Sequence, residues 1–537
     1  MSRISADAAE DTNPCAYDVA IIGYGPTGET AANLLGALGL KVVVVERDAE
    51  VYSRARAIST DEEVLRIWQR VGLAERLKQD MLTEGRPVDF VDAGNRAFLT
   101  AQPPRRGHGH PPQSFIYQPA LEQVLREGVD RCPNVDVLLR HECLRVRQDD
   151  GGVELTVAGV DDDSVRRLRA AYVIAADGGS SLTRAQLNIG YEGRTYEDRW
   201  VVIDTKMLKP WPGHDRLRFR CDPDRPAVDC PTPLGHHRWE FPVLPGDDEK
   251  HLTTDDAVYD LVARYGIGRD QVDVLRATVY SHHVRFASRF RVGRVFLAGD
   301  AAHAMPPWIG QGMAAGVRDV ANLCWKLDAV LRGELPYSVL DSYEAERKPH
   351  VKEVTRRAVF VGRVITERRA AVARFRDHAV RTLNRIPGLG DRLQDSKWIP
   401  VAHYDAGLQA RPRTKATGRQ VPQPWVTAPD GTRTRLDDAL AGRWLLLHAR
   451  TVTPQPAWDR IGVASLAVTP AGSRPAEGTL VDTDGVLLAW MREHRAATLA
   501  LRPDAYVYAA AASGPLAPPP QGFDPRATAR PAASTTP

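Results

Sequence analysis

The chain has 537 residues, too many for one ordinary hydrophobic core, so two or three domains are expected. Its 43% hydrophobic and 26% charged content describe a globular chain, and a net charge of +3 gives no case for nucleic acid or an acidic membrane as partner. Residues 1–16 lack an apolar signal core, no apolar run is long enough to span a membrane, and the six cysteines show no C-x-x-C spacing, so a cytoplasmic protein with reduced thiols and no metal site is expected.

Taken from the N-terminus, YDVAII at 17–22 and KVVVVE at 41–46 are short apolar runs of the kind buried in a parallel sheet. A helical segment over about residues 27–39 joins them into one βαβ unit. Helical periodicity returns after residue 57, where Ser59 and Glu62 have capping-box spacing. Residues 150–176 alternate like hairpin strands, with a solvated turn at 161–163. Strand-like runs rich in Arg, Trp, Tyr and His fill 196–290, and the segments 313–333 and 341–385 are helical. Residues 400–435 form a Pro/Gly/Thr-rich linker. Beyond it RWLLLHA, ASLAVT, GTLVD with GVLLAW, and AYVYAA are the strands of a small α/β domain, and 513–537 is a Pro/Ala/Ser/Thr-rich tail expected to be disordered.

Gly23, Gly25 and Gly28 form G-x-G-x-x-G between the first strand and the first helix. Glycines there allow a tight turn and a close approach of the backbone to a pyrophosphate at the positive end of the helix. Glu46, with Arg47 beside it, closes the second strand eighteen positions after Gly28, where a carboxylate accepts ribose hydroxyls. These residues point to a dinucleotide without choosing between NAD and FAD.

Two more segments at strand ends make that choice: D-G-x-x-S-x-x-R (Asp177, Gly178, Ser181, Arg184) and G-D-A-A-H-x-x-P-P (Gly299 to Pro307). With the glycine motif they resemble the fingerprints of the class A FAD-dependent aromatic hydroxylases. Cys221 to Pro226, Arg238-Trp239-Glu240-Phe241 and GVRDVANLCWKL at 316–327 are most similar to the 3-(3-hydroxyphenyl)propionate and 3-hydroxycinnamate hydroxylase branch. The resemblance covers about residues 17–510. It implies an α/β fold: a Rossmann-like FAD-binding domain over 17–399 with an interleaved β-sheet substrate domain (about 85–115 and 185–290), as in p-hydroxybenzoate hydroxylase. It also implies a small thioredoxin-like domain over 436–512, which cannot do dithiol chemistry because no cysteine follows Cys324.

The resemblance further implies roles. Arg56, Gln118, Asp177, Gly178 and Gly299 belong to the FAD site, and Asp300 accepts a hydroxyl of the ribityl chain. Pro306-Pro307 fixes a turn beside the flavin, with a carbonyl facing the substrate. Gly310, Gln311, Gly312 and Met313 bring main-chain N–H groups to the pyrimidine edge, and a helix starting near Ala314 directs its positive end there. Many relatives carry Asn where Ala314 stands and Gly where Ile309 stands, so one side-chain hydrogen bond to the ring is missing. NADH or NADPH then reduces FAD, O2 adds at C4a, and the hydroperoxide passes an OH to a phenolic ring.

His282, in TVYSHHVRFASRFR, is the candidate base for the phenol, and Arg285 or Arg289 is a candidate partner for a substrate carboxylate. His303 is expected to orient the Asp300 loop, and His236-His237 sits in a Pro/Gly loop unsuited to a metal. The partners expected are a small aromatic substrate and O2, with a homodimer as the assembly. Competing readings are a tailoring monooxygenase of an aromatic polyketide-like product and a flavin-binding protein without turnover. The halogenase pattern W-x-W-x-I-P is absent.

Overall fold

The computed structural model describes residues 15–51, 56–103, 105–394 and 402–527. The expected flexible N-terminus lies almost wholly outside the described residues, as do the first residues of the expected linker and the last ten of the expected tail.

Tyr17–Ile22 is the centre of an eight-stranded sheet, parallel to Val42–Glu46 on one side and to Val165–Ala175 on the other. Val135–Leu139 and Val295–Leu297 extend it, also in parallel. Val19, Ala20, Ile21 and Val42 to Val44 are wholly buried, as strands covered on both faces must be. The helix Pro26–Ala37 packs against the later helix Gly312–Leu331, and the approach depends on glycine: a Cβ on Gly316 would overlap the Thr27 hydroxyl.

The register has a direct consequence. Ile22, Ala175 and Leu297 are aligned neighbours on three adjacent parallel strands, and each is the last residue of its strand. The three fingerprints therefore leave the sheet at the same level of its carboxyl edge, where ligands bind in open α/β sheets.

A second sheet of eight strands takes Val88–Val91 and Ala97–Ala101 from one part of the chain. The rest come from residues 191–304, with Tyr191–Met207 flanked by His236–Pro242 and Val272–Ala287. A third, seven-stranded mixed sheet is built from residues 425–511. It is joined to the first unit by a buried ion pair in which Arg66 donates from Nε (2.8 Å) and Nη2 (2.5 Å) to Asp437.

Several local expectations need correction. Ser59 lies in the strand Ser59–Asp61, and the helix Glu62–Gln69 is capped by Asp61, whose carboxylate accepts from the N–H groups of Glu63 and Val64 at 3.1 Å. An aspartate adjacent to the first turn satisfies the same orphan donors a serine would. GVLLAW is not a strand. Residues Val486–Glu493 are helical, started by Gly485 in the left-handed region and by Asp482, which accepts from the Leu488 N–H at 2.8 Å. The linker is not a plain connection, because Trp425–Thr427 and Arg433–Arg435 are strands of the third sheet. The expected tail packs as far as it is described: Leu516 and Phe523 are buried, the Trp458 indole donates to the Ala517 carbonyl at 2.9 Å, and Phe523 meets Trp444. Leu516 and Phe523 are large enough to anchor a segment that is otherwise rich in Pro and small residues.

Candidate functional site

The carboxyl edge of the first sheet and the face of the second enclose a cavity of about 690 Å³. Two helix starts open onto it. Gly25 precedes Pro26–Ala37 and Gln311 precedes Gly312–Leu331, and neither start has a side-chain cap. Their first-turn N–H groups are available to a ligand, and both present the positive end of a helix dipole.

The residues here fit FAD. A Cβ placed on Gly25 or Gly178, both of which line the cavity, would meet nothing within 4 Å, so each glycine leaves room for a ligand against bare backbone. Gly23 and Gly28 do not line the cavity and serve by close packing, since a Cβ on Gly28 would overlap the Gly23 carbonyl oxygen. Asp300 lines the cavity, and among the described residues its carboxylate has no hydrogen-bond partner, while its main chain is pinned by the Tyr191 hydroxyl donating to its carbonyl at 2.8 Å. Asp177 has one buried oxygen without a partner, its other oxygen accepting from the Thr183 N–H at 3.1 Å.

Glu46 and Gln118 have partners within the protein. Glu46 accepts from the Tyr24 N–H (2.7 Å) and the Asp48 N–H (2.9 Å), so its carboxylate is oriented by the glycine loop. Arg47 is exposed and outside the cavity lining. Gln118 lines the cavity, its amide oxygen accepting from Arg56 N (2.8 Å) and Ala57 N (2.6 Å) and its amide nitrogen donating to Glu122 at 2.7 Å. It positions the 56–57 backbone. Arg56 itself is exposed at the cavity wall.

The third fingerprint is braced from below. Asp319, wholly buried, accepts from the Gly299 N–H (3.0 Å), from His303 (2.6 Å) and from Arg347 (2.8 Å). His303 thus shares Asp319 with the Gly299 N–H, one residue before Asp300. Gly310 adopts φ +62° and ends the short turn Pro307–Ile309, a conformation that favours glycine. The helix begins at Gly312, two residues before the expected Ala314.

The second sheet supplies the opposite wall. His282, Tyr280, Thr278 and Arg276 alternate along one strand and line the cavity, with Val202, Arg238 and Glu240 from neighbouring strands. Trp308 meets His282 edge-on at 5.2 Å, which brings His282 beside the Pro307 loop. His282 faces the Tyr280 hydroxyl at 3.1 Å. Burial, helped by His283, pushes its imidazole down to about 4, so it is uncharged at neutral pH. We therefore expect a histidine-labelled NMR spectrum in which the His282 ring stays uncharged from about pH 8 to about pH 5. A transition near the ordinary value of 6.5 would refute the burial argument.

Arg285 and Arg289 do not reach this cavity. The Arg285 guanidinium lies 6.0 Å from the Tyr191 ring, and Arg289 is exposed. On the wall formed by the second sheet the lining guanidiniums are Arg238 and Arg276, both paired with Asp204, at 2.7 and 2.5 Å, while Arg56, Arg106 and Arg318 line the cavity elsewhere. His236 and His237 open the strand His236–Pro242 and are not in a loop; His237 pairs with buried Asp229 at 2.7 Å, and no group suited to a metal ion occurs among the described residues.

Residues 16–358 match the FAD binding domain family, and residues 418–521 match the HcaD C-terminal domain. The chain belongs to the FAD-dependent aromatic hydroxylases. It is 35% identical to the 3-(3-hydroxy-phenyl)propionate/3-hydroxycinnamic acid hydroxylase of Burkholderia cenocepacia (strain HI2424), covering 91% of this chain and 93% of that one. Against the same-named enzyme of Comamonas testosteroni it is 32% identical over 92% and 94% of the two chains. The flavin-dependent monooxygenase PieE, solved with FAD and substrate, shares the fold at a TM-score of 0.76, 21% identity and coverage of 92% and 95%.

In this hydroxylase, sequence reasoning overlooked the supporting shell. Arg184 stacks 3.8 Å over Tyr191 and donates to the carbonyls of Ala301 (3.0 Å) and Gly179 (2.8 Å), tying the second fingerprint to the third. Its place in the D-G-x-x-S-x-x-R motif was the available signal. Arg238 and Glu240 were also visible, as charges two apart in the otherwise apolar strand RWEF, a spacing that puts both on one face.

Proposed function

We propose that this hydroxylase uses NADH or NADPH and O2 to add one hydroxyl to the ring of a phenolic acid of the 3-(3-hydroxyphenyl)propionate type. The observation that carries this is the polarity of the cavity's second wall: a cationic pair, Arg238 and Arg276, lies further along the sheet than His282 and the Pro307 loop. Among the described residues the two guanidiniums share one carboxylate, Asp204. Glu240 does not cancel the surplus, because burial pushes its carboxyl up and favours the neutral form, although Arg238 opposes this. That end suits a substrate carboxylate, which a guanidinium binds in a paired, planar geometry.

When bound, FAD takes electrons from the nicotinamide and activates O2. The chain's own residues hold and orient. The first-turn N–H groups after Gly25 receive the pyrophosphate, Asp300 accepts from the ribityl chain, and Gln311 to Met313 meet the pyrimidine edge of the ring. His282 accepts the phenol proton, which enriches the aromatic ring for electrophilic attack. Trp308, Ile58, Val202 and Phe219 exclude water from that step.

The test is a panel of phenols with and without side-chain carboxylates, recording NAD(P)H oxidation, product mass and peroxide together. A meta-hydroxyphenyl acid is expected to stimulate oxidation most and to gain one oxygen atom. The reading is wrong if holoenzyme responds to no phenol, or responds equally well when the carboxylate is removed.

A further inference from the structure

The C-terminal sheet has no thiol chemistry, yet it reaches the flavin end of the cavity through an unbroken chain of buried polar contacts. Tyr506, immediately before the strand Val507–Ala511 of the third sheet, is buried and stacked on Tyr404 with ring centroids 4.4 Å apart. Its hydroxyl donates to Glu63 Oε1 at 3.2 Å. The other Glu63 oxygen accepts from Arg318 Nε at 2.5 Å. Arg318 then donates from Nη1 to the Gln311 side-chain oxygen at 2.9 Å and from Nη2 to Asp61 at 2.5 Å, and Gln311 donates to Asp61 at 3.0 Å. Glu63, Arg318 and Gln311 all line the cavity.

We propose that the C-terminal sheet tunes the flavin: Tyr506, acting through Glu63 and Arg318 on Gln311, is a positioning residue that sets the positive field at the helix start facing the ring. The proposal rests on the reading above that puts the pyrimidine edge against residues 311–313. Its physics is local. Arg318 lies in the second turn of the uncapped helix Gly312–Leu331, where its charge adds to the dipole. Reduction places negative charge on the pyrimidine edge, so whatever strengthens or weakens that field moves the reduction potential. Burial pushes the Glu63 carboxyl up, but Arg318 more than reverses this, and the pair stays ionised. The Tyr506 hydrogen bond draws part of the carboxylate's charge away from Arg318.

Opposite substitutions therefore have opposite effects. In FAD-saturated holoenzyme, Tyr506→Phe, which keeps the ring stack, is expected to lower the flavin midpoint potential because Glu63 neutralises Arg318 more completely. Glu63→Gln is expected to raise it because Arg318 is left unneutralised on that side. Loosened packing would move both variants the same way. Asp438→Ala, which removes a surface hydrogen bond between the two units at Gln69, is expected to leave the potential at the wild-type value. Gln311→Glu, which adds a negative charge at the helix start, is expected to lower it. If Gln311→Glu shifts the potential while Tyr506→Phe and Glu63→Gln do not, or both shift in one direction, the proposal fails and the flavin placement stands. If Gln311→Glu also has no effect, the flavin placement itself fails and takes the proposal with it.

Discussion

Asp300→Ala is expected to weaken FAD binding about thirtyfold, the loss of roughly 2 kcal/mol for a hydrogen bond to a charged acceptor. The fold should not suffer, because the Asp300 carboxylate supports nothing else among the described residues. The loop is instead held through its main chain, by Tyr191 on the Asp300 carbonyl and by Asp319 on the Gly299 N–H. Flavin dissociation measured by fluorescence, beside a thermal melt of the apoprotein, separates the two effects. A variant that retains FAD as tightly as wild type removes Asp300 from the cofactor site. A variant that melts much earlier shows that the carboxylate has a structural partner instead.

His282→Gln is expected to lower product formation about a hundredfold or more while FAD occupancy is unchanged, as removal of a positioned base does. The histidine lies between Trp200 and Trp308, at ring distances of 5.8 and 5.2 Å, and its nearest polar contact is the Tyr280 hydroxyl. Burial keeps its ring uncharged at neutral pH and at the same time makes it a weaker base than an exposed histidine, so its role rests on its place in the cavity wall. Product yield and peroxide release measured on the same sample check this. Coupled hydroxylation at the wild-type rate would show that the ring is a packing element of the cavity wall.

Much of the flavin half was legible because backbone chemistry leaves strong traces. Gly28 must lack a Cβ to pass the Gly23 carbonyl, and an apolar run such as VVVV at 42–45 has few homes besides a parallel strand. The substrate wall was harder to read. Alternation puts Arg276 and Arg285, nine residues apart on one strand, on opposite faces but does not say which face lines the cavity; the register against Tyr191–Met207 sets Arg276 opposite Asp204 and Arg285 opposite Gly193. Such pairings depend on residues some seventy or more positions apart, and period-two alternation alone does not say where along a strand the cavity ends. The same limit hid the Tyr506–Glu63 contact, which joins residues 443 positions apart.

Asp319 gathers the Gly299 N–H, His303 and Arg347 into one buried knot, so the segment ahead of the helix is tied to the helix's own second turn and to a neighbouring helix. A mould fastened in this way keeps its shape when its contents are removed. Protein stripped of its yellow colour should stay folded and regain it simply on mixing, without a slow refolding step before the nucleotide is captured.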